Sequence, residues 1–167
     1  IVVDKAGKVA AANIGNREDL EGRMKEQLDA LLAGRAIVMK PDEAPKPSVT
    51  RTNPAEEKVG KTAPAFSLTM FSGKQVSEKD LKGAVTVMDF FATNCGFCKK
   101  QLPRVEAIRQ EYEAKGVRFL CVTQTMGKTP AKQEDVVSKM NEWGIKAEVA
   151  IDKGNTVGSG VAIGTRT

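Results

Sequence analysis

Val85-Thr86-Val87-Met88-Asp89-Phe90-Phe91-Ala92-Thr93-Asn94-Cys95-Gly96-Phe97-Cys98 is the stretch from which the rest of the chain can be read. Val85, Val87, Met88, Phe90 and Phe91 make a nearly continuous apolar run, as expected of a strand buried on both faces in the middle of a sheet. The run leads directly into a cysteine pair. Beyond it, Leu102, Val105, Ile108 and Tyr112 fall on one helical stripe that ends at Gly116. Pro103 lies inside this helix, where a missing backbone donor and a clash with the preceding turn predict a kink.

Downstream, residues 117–122 read as another apolar strand. Pro130 then starts a helix bearing Val136, Val137, Met140 and Trp143, closed by Gly144. Residues 147–151 form a further strand, and 155–167 are glycine-rich, a short helix or loop. Upstream, Phe66, Leu68 and Met70 alternate with polar residues as in a half-buried strand. Ser72-Gly73-Lys74 makes a turn and Ser77-Glu78-Lys79-Asp80 a short helical turn. Pro41, Pro45, Pro47 and Pro54 mark residues 36–57 as a linker. Before the linker, residues 1–35 read as strand, turn, strand and helix. Ile1-Val2-Val3 and residues 9–14 form a hairpin about Lys5-Ala6-Gly7-Lys8. Asn16 then caps a helix with Glu18 and Asp19 in its first turn, Leu20, Met24, Leu28, Leu31 and Leu32 on its apolar face and Gly34 as its stop. A lone hairpin and helix make too little for a stable unit, so that face needs a sheet to cover. Strands alternating with helices predict an α/β fold with a mainly parallel central sheet.

Length and composition agree. The chain has 167 residues, 41% hydrophobic, 28% charged and 5% aromatic, which suits one soluble globular domain, or one plus fragments of another. The longest apolar stretch, 84–92, is interrupted by Thr86 and Asp89 and falls far short of the roughly 20 residues of a bilayer helix. The chain opens on Ile1 without a basic-then-apolar leader, so any export signal has been removed or never belonged to this piece. The net charge of +5 comes from basic residues scattered among acidic ones with few aromatics between them, a pattern that argues against nucleic-acid binding.

The chemistry lies in the cysteines. There are three, with no histidine, and the odd total excludes a fully paired disulfide framework within one chain. Cys95 and Cys98, three apart at a helix start, share one side of the first turn, where unpaired backbone N–H groups point at the first sulfur. With the positive end of the helix dipole, this placement lowers a thiol from about 8.5 to between about 3.5 and 7.5. Cys95 is the predicted attacking thiolate. Cys98, one turn deeper and more buried, is predicted to resolve the mixed disulfide. Zinc would need four Cys or His ligands and only Cys121 remains, so no metal is expected. A purely structural bond within one helical turn closes too small a loop to stabilise much. Cys121, between Leu120 and Val122, reads as a buried, inert thiol.

Residues 58–167 resemble the thioredoxin-like family, specifically its exported TlpA/ResA-type thiol-disulfide oxidoreductases. The resemblance runs through 59–68 (Val-Gly-Lys-Thr-Ala-Pro-Ala-Phe-Ser-Leu), Ser72-Gly73-Lys74, Asp80-Leu81-Lys82-Gly83, the stretch 89–98 and Pro103. It implies a thioredoxin-like fold, a central mixed sheet flanked by helices, with disulfide exchange through Cys95 and Cys98. No cofactor is implied, the partners are protein thiols and an unidentified redox partner, and the location is periplasmic or otherwise exported. Asn94 stands where the family usually has tryptophan, and Phe97 where it often has proline. Such neighbours move dithiol potentials within about −270 to −120 mV. Asn94, Gly96 and Phe97 are candidate substrate contacts; Phe97, beside the exposed sulfur, either offers partners an apolar contact or only packs on the helix. Asp89 matches the family's buried acid and by resemblance takes the proton of Cys98; the other reading is an acid hydrogen-bonded at a strand end.

The resemblance also reorders the elements. The chain ends at Thr167, where the family's cis-proline loop would come, while residues 1–34 resemble the family's last hairpin and final helix. The reading is therefore of permuted order: 1–35 as terminal hairpin and helix, 36–57 as linker, 58–167 as the CxxC-bearing domain without its tail. The chain is either a window from a tandem array or a permuted single domain, with the first segment packed onto the sheet within one chain or exchanged between two. Two other functions share these features. A peroxiredoxin-like peroxidase would carry threonine three residues before the reactive cysteine, where this chain has Ala92. A non-catalytic interaction module would have two ordinary thiols.

Overall fold

A computed structural model describes residues 1–14, 17–37, 55–124 and 131–152. Asp4 starts the first turn, its Oδ1 accepting the Ala6 and Lys8 backbone N–H groups at 2.9 Å each. The chain reverses on Gly7, whose φ of +79° suits only glycine without strain. The flanking residues pair antiparallel as β1 (Val2–Val3) and β2 (Val9–Ala11). After α1 (Leu20–Leu32) and the linker come the hairpin β3 (Ser67–Thr69) and β4 (Gln75–Ser77). The predicted helical turn forms over Glu78–Leu81, with Ser77 and Asp80 closing a capping box. Then follow β5 (Thr86–Phe91), α2 (Gly96–Tyr112), β6 (Arg118–Gln124), α3 (Gln133–Glu142) and β7 (Glu148–Asp152).

Among the described residues the main sheet has the order β2-β1-β5-β6-β7, with β5, β6 and β7 parallel and β1 antiparallel to both its neighbours. β5 is therefore central, as its apolar run predicts. Val3, Met88, Leu120 and Val122 point to one face, covered by Leu68, Met70 and Val76 of the β3–β4 hairpin and by Leu81. Val2, Val87 and Phe119 point to the other, beneath Leu20, Met24 and Leu28 of α1 and Val105 and Ile108 of α2. Farther along that face, Phe91, Cys121 and Val149 meet Leu102 of α2 and Val136, Met140 and Trp143 of α3.

The first segment is part of this sheet. Val2 pairs with Val87 and Val3 with Thr86. The outer edge of β2 is covered in turn by the residues after the linker: Val9 donates to Lys61 at 2.9 Å, and Gly60 to Val9 at 2.8 Å. Strand edges so covered do not recruit other chains. Leu20 and Leu28, each 0% exposed, and Met24 at 4% dominate the attachment of α1, at about 1.5–3 kcal/mol apiece. Polar contacts fix its position: Tyr112 Oη donates to Asp29 Oδ1 at 2.9 Å, and Arg104 donates to Glu21 Oε1 at 2.8 Å and to the carbonyls of Arg17 and Glu18 at 2.6 and 2.8 Å.

Arg104 also explains a correction. The sequence places Glu18 and Asp19 within the first turn of α1, but the helix starts at Leu20 with Asp19 as N-cap. The guanidinium of Arg104 takes the carbonyls of the two preceding residues, and Arg17 pairs with Asp19 at 2.9 Å, so the backbone there serves α2 instead of extending α1. The second strand likewise stops at Ala11 rather than at 14, because Asn13 turns to exchange hydrogen bonds with Gln27 of α1. α3 begins at Gln133. The predicted cap Asn16, the start at Pro130, most of the linker and the segment 155–167 lie outside the described residues. α2 runs unbroken through Pro103 and ends in a 3-10 turn, Glu113–Lys115, with Gly116 in the left-handed conformation.

Candidate active site

β5 ends buried at Phe91, and the chain turns immediately, with Cys95 N–H donating to the Ala92 carbonyl at 3.1 Å. Cys95 then has extended backbone angles, φ −89° and ψ 107°, and acts as the N-cap of α2. Its sulfur performs the work usually done by a Ser or Asp oxygen: Sγ accepts the Cys98 backbone N–H at 3.2 Å. No acidic residue stands in the first turn of α2, so no side-chain carboxylate competes with the sulfur for the partial positive charge of that helix end. The Cα atoms of Cys95 and Cys98 are 5.2 Å apart and the residues are joined as a disulfide.

The two cysteines are both half-buried, where the sequence anticipates a deeper Cys98. Cys98 packs against the cluster of Phe91, Leu102, Cys121 and Trp143. Asn94, Gly96 and Phe97 are exposed around the pair, Phe97 at 72%. The end of α3 is tied to the start of α2 by Glu142, which accepts from Lys99 Nζ at 3.1 Å and from Lys139 Nζ at 2.6 Å. Exposed pairs of this kind orient the elements and add little stability.

Asp89 lies deeper, under α2. As a residue it is half-buried, but its Oδ2 is sealed from solvent and has no hydrogen-bond partner. Burial raises its pKa to about 6, against the opposing pull of a hydrogen bond from Gln101, three residues beyond Cys98. Gln101 thus links the acid to the helix that carries the cysteines. Across the β5–β6 ladder, Asp89 is in register with Cys121, whose residue is 3% exposed. Burial first, then the Asp89 and Glu106 carboxylates, push the Cys121 thiol well above its ordinary value.

Glu106 and Arg109 complete this floor. Arg109 donates twice to the Glu106 carboxylate, at 2.9 and 2.7 Å, and a third time to Glu113. Burial pushes Glu106 upward, but the Arg109 bonds and the Lys146 backbone N–H outweigh it and hold the carboxyl below the usual range. Sequence reasoning did not single out Gln101, Glu106 or Arg109. The signal for Glu106 was its position four residues after Leu102, on the buried stripe of α2.

The comparisons with known proteins concern the part of the chain that carries this site. The AhpC/TSA family matches residues 59–163. The thiol-disulfide oxidoreductase ResA of Bacillus thuringiensis is 35% identical over 101 residues, covering 59% of this chain and 54% of that protein. The thioredoxin-like protein YneN of Bacillus subtilis is 32% identical over 94 residues, covering 56% of this chain and 54% of its own. The chain therefore spans about half the length of these curated relatives. Among solved structures, a Chlorobium tepidum protein assigned as the thiol:disulfide interchange protein DsbE superposes with a TM-score of 0.53 at 26% identity, covering 61% of this chain and 68% of that one. The thioredoxin domain of a Bacteroides vulgatus thiol-disulfide oxidoreductase gives 0.54 at 23% identity, covering 64% and 74%.

Proposed function

This chain belongs to the AhpC/TSA family, and on that footing we propose that it is a thiol-disulfide oxidoreductase exchanging disulfides with protein thiols through the dithiol of Cys95 and Cys98. Its fold is thioredoxin-like, a central mixed sheet with helices. The observation that carries the reading is the sulfur cap: the Cys98 N–H meets Cys95 Sγ at 3.2 Å at the start of α2, with the second sulfur within bonding reach. In the reduced protein the same donor and helix end favour a Cys95 thiolate.

The exchange then balances as follows. Cys95 thiolate attacks one sulfur of a substrate disulfide, an S–S bond forms between Cys95 and the substrate, and the other substrate sulfur leaves as thiolate. Cys98 loses its proton and attacks Cys95 Sγ, forming the Cys95–Cys98 disulfide and releasing the second substrate thiol. Two electrons pass to the substrate. The reverse sequence oxidises a substrate dithiol. Asp89, raised to about 6 and linked to the helix by Gln101, is suited to take the Cys98 proton. Asn94, Gly96 and Phe97, exposed around the pair, are the surface a substrate meets.

Two further parts of the reading are architectural. Residues 1–35 supply the hairpin and helix that complete the sheet and form, with 58–167, one thioredoxin-like unit in permuted order; the Val2–Val87 pairing and the Arg104 contacts support this. The likeness to ResA supports an extracytoplasmic setting. Among the described residues no helix is long and apolar enough to cross a membrane.

The test is equilibration of the chain in glutathione buffers of graded ratio, followed by alkylation and mass spectrometry. The expected result is one reversible two-electron transition confined to Cys95 and Cys98, with Cys121 unmodified. A pair that remains locked across the buffer range, or a chain that consumes hydrogen peroxide without reducing protein disulfides, would refute the proposal.

A further inference from the structure

Basic residues that are scattered along the sequence are gathered by the fold at one corner. Lys5 and Lys8 flank the turn between β1 and β2, and Lys61 and Lys82 stand beside them, all four exposed. Backbone bonds hold the three segments together: Gly83 N–H donates to the Lys5 carbonyl, Ala63 N–H to that of Gly7 and Val9 N–H to that of Lys61, each at 2.9 Å. The aliphatic stem of Lys82 lies over Gly7, where a Cβ would come within 3.3 Å of its Cγ. Among the described residues none of these four lysines forms an ion pair. The carboxylate between them is Asp4, whose Oδ1 is held by the Ala6 and Lys8 backbone N–H groups. At the border, Glu56 and Glu57 are offset by Lys58 and Lys79. Glu78 and Asp80 turn to the hairpin side, accepting the N–H groups of Phe66 at 3.1 Å and Ser77 at 2.8 Å. The corner therefore keeps an excess of positive charge. It also lies far from the cysteines: Val3 of β1 stands opposite Thr86, so the turn lies beyond the first residue of β5, whereas the cysteine pair follows the last. The length of β5, roughly 17 Å, separates the two.

We propose that this corner is a docking surface for an anionic phospholipid bilayer, which the chain meets with Lys5, Lys8, Lys61 and Lys82 while its cysteine end faces away. The residue types select that partner. Protein interfaces are depleted in lysine and take their energy from aromatic residues and arginine, and single-stranded nucleic acid is held by stacking on aromatic rings. None of the four positions is aromatic or arginine, and the exposed large hydrophobic residues, Ile14, Phe97 and Val137, lie elsewhere. Lysine is instead a compact, hydrated charge on a long stem, suited to the diffuse negative potential of lipid phosphates. Each such lysine near the surface multiplies partition by about five. The attraction fades with salt, because the screening length shrinks from about 30 Å at 0.01 M to about 10 Å at 0.1 M. The inference rests on the charge and topology of this corner and is independent of the exchange proposed above.

The test is sedimentation of the full chain with large vesicles, made of phosphatidylcholine alone or mixed in equal parts with phosphatidylglycerol. Binding is expected to the mixed vesicles only and to disappear in concentrated salt. Lys5→Gln combined with Lys82→Gln should lower it by about 25-fold, from the factor per lysine. Lys100→Gln combined with Lys132→Gln removes the same charge from exposed positions at the starts of α2 and α3 and should lower it by no more than about two-fold, because screening leaves little of a distant charge. An equal loss in both pairs would reduce the effect to net charge and overturn the proposal, as would binding to phosphatidylcholine alone. Binding to heparin or polyglutamate, with none to the mixed vesicles, would assign the corner to a soluble polyanion and overturn it as well. Should the first pair of substitutions not fold, footprinting of the unmodified chain decides. Acetylation read by mass spectrometry must slow several-fold at Lys5, Lys8, Lys61 and Lys82 on the mixed vesicles and keep its rate at Lys132. Protection of Lys132 instead, or of the reduced cysteines from alkylation, would put the wrong end on the bilayer and refute the proposal.

Discussion

Cys98 and Cys121 pack against the same apolar cluster, yet one stands in the first turn of α2 and the other in the middle of β6. Around the first, its own backbone N–H is given at the helix start to the sulfur of its partner Cys95, no acidic side chain shares the turn, and solvent reaches the pair. Around the second, burial and then two nearby carboxylates push the thiol well above its ordinary pKa. One residue type thus takes opposite characters a short distance apart. The difference comes from where the backbone places each sulfur: a helix N-terminus supplies partial positive charge without any side chain, whereas a strand centre has spent its N–H groups on the ladder.

The contrast is broken most directly by removing Cys95, the partner of Cys98 in the disulfide. Cys95→Ser is expected to lower disulfide exchange by roughly 10³-fold or more, with Cys121 unable to take over, because its sulfur is neither ionised nor exposed. Insulin reduction by the variant measures this. The appearance of a Cys98–Cys121 disulfide with retained turnover would erase the distinction. In the reduced wild type, alkylation should modify Cys95 first and Cys121 only on unfolding, a protection of roughly 10³-fold or more for a group reached through global opening.

A smaller effect is expected at the acid between the two environments. The Asp89 pKa rises from 3.8 to about 6 in the folded chain, so the native state binds more protons than the unfolded one across that window. Stability therefore falls as pH rises from about 4 to about 6 and stays lower above it. Asp89→Asn removes the buried charge, and urea unfolding near pH 8 should find the variant more stable by about 2–3 kcal/mol, an order-of-magnitude figure from that shift. Near pH 4 the two should nearly coincide. Equal stabilities at both pH values would mean that Asp89 is not burdened by burial, and the contrast between floor and surface would lose its electrostatic part.

The surface half of this contrast is legible in the sequence, whereas of the floor only the burial of Cys121 and, through the family resemblance, of Asp89 is, and their juxtaposition is not, for a physical reason. Val85 to Phe91 announce a central strand by composition, and the stripe of Leu102, Val105, Ile108 and Tyr112 after the cysteine pair announces the next helix, so β5, the turn and α2 follow from contiguous residues. Leu20, Met24 and Leu28 likewise foretell the buried face of α1. Asp89 and Cys121 are 32 residues apart, and nothing local sets the parallel register that puts them side by side. The same holds for Arg104: its effect on the start of α1 joins positions 86 and 87 residues apart in the chain. A buried glutamate is rare unless paired, and the pairing of Glu106 with Arg109 depends on a helix face whose burial the sheet beneath it decides.

The smallest effect is the one that most sharpens the reading of the surface. Phe97 is 72% exposed between the two cysteines, whereas Leu102, one helical stretch farther on, is 1% exposed in the cluster below. A side chain left in solvent contributes little to folding, so Phe97→Ala should change stability by no more than about 0.5 kcal/mol. An apolar ring kept beside the cysteine pair has a different use if it covers part of an incoming polypeptide, where burying a ring is worth about 1.5–3 kcal/mol when complete and less at a rim. Exchange with a protein disulfide should then slow by several-fold in Phe97→Ala, while exchange with glutathione, too small to reach across the turn, should keep its rate. Measuring both substrates on one preparation separates the two roles: equal slowing would assign Phe97 to the electronics or geometry of Cys95, and no slowing would leave it as a solvent-exposed residue of the helix start with no part in recognition.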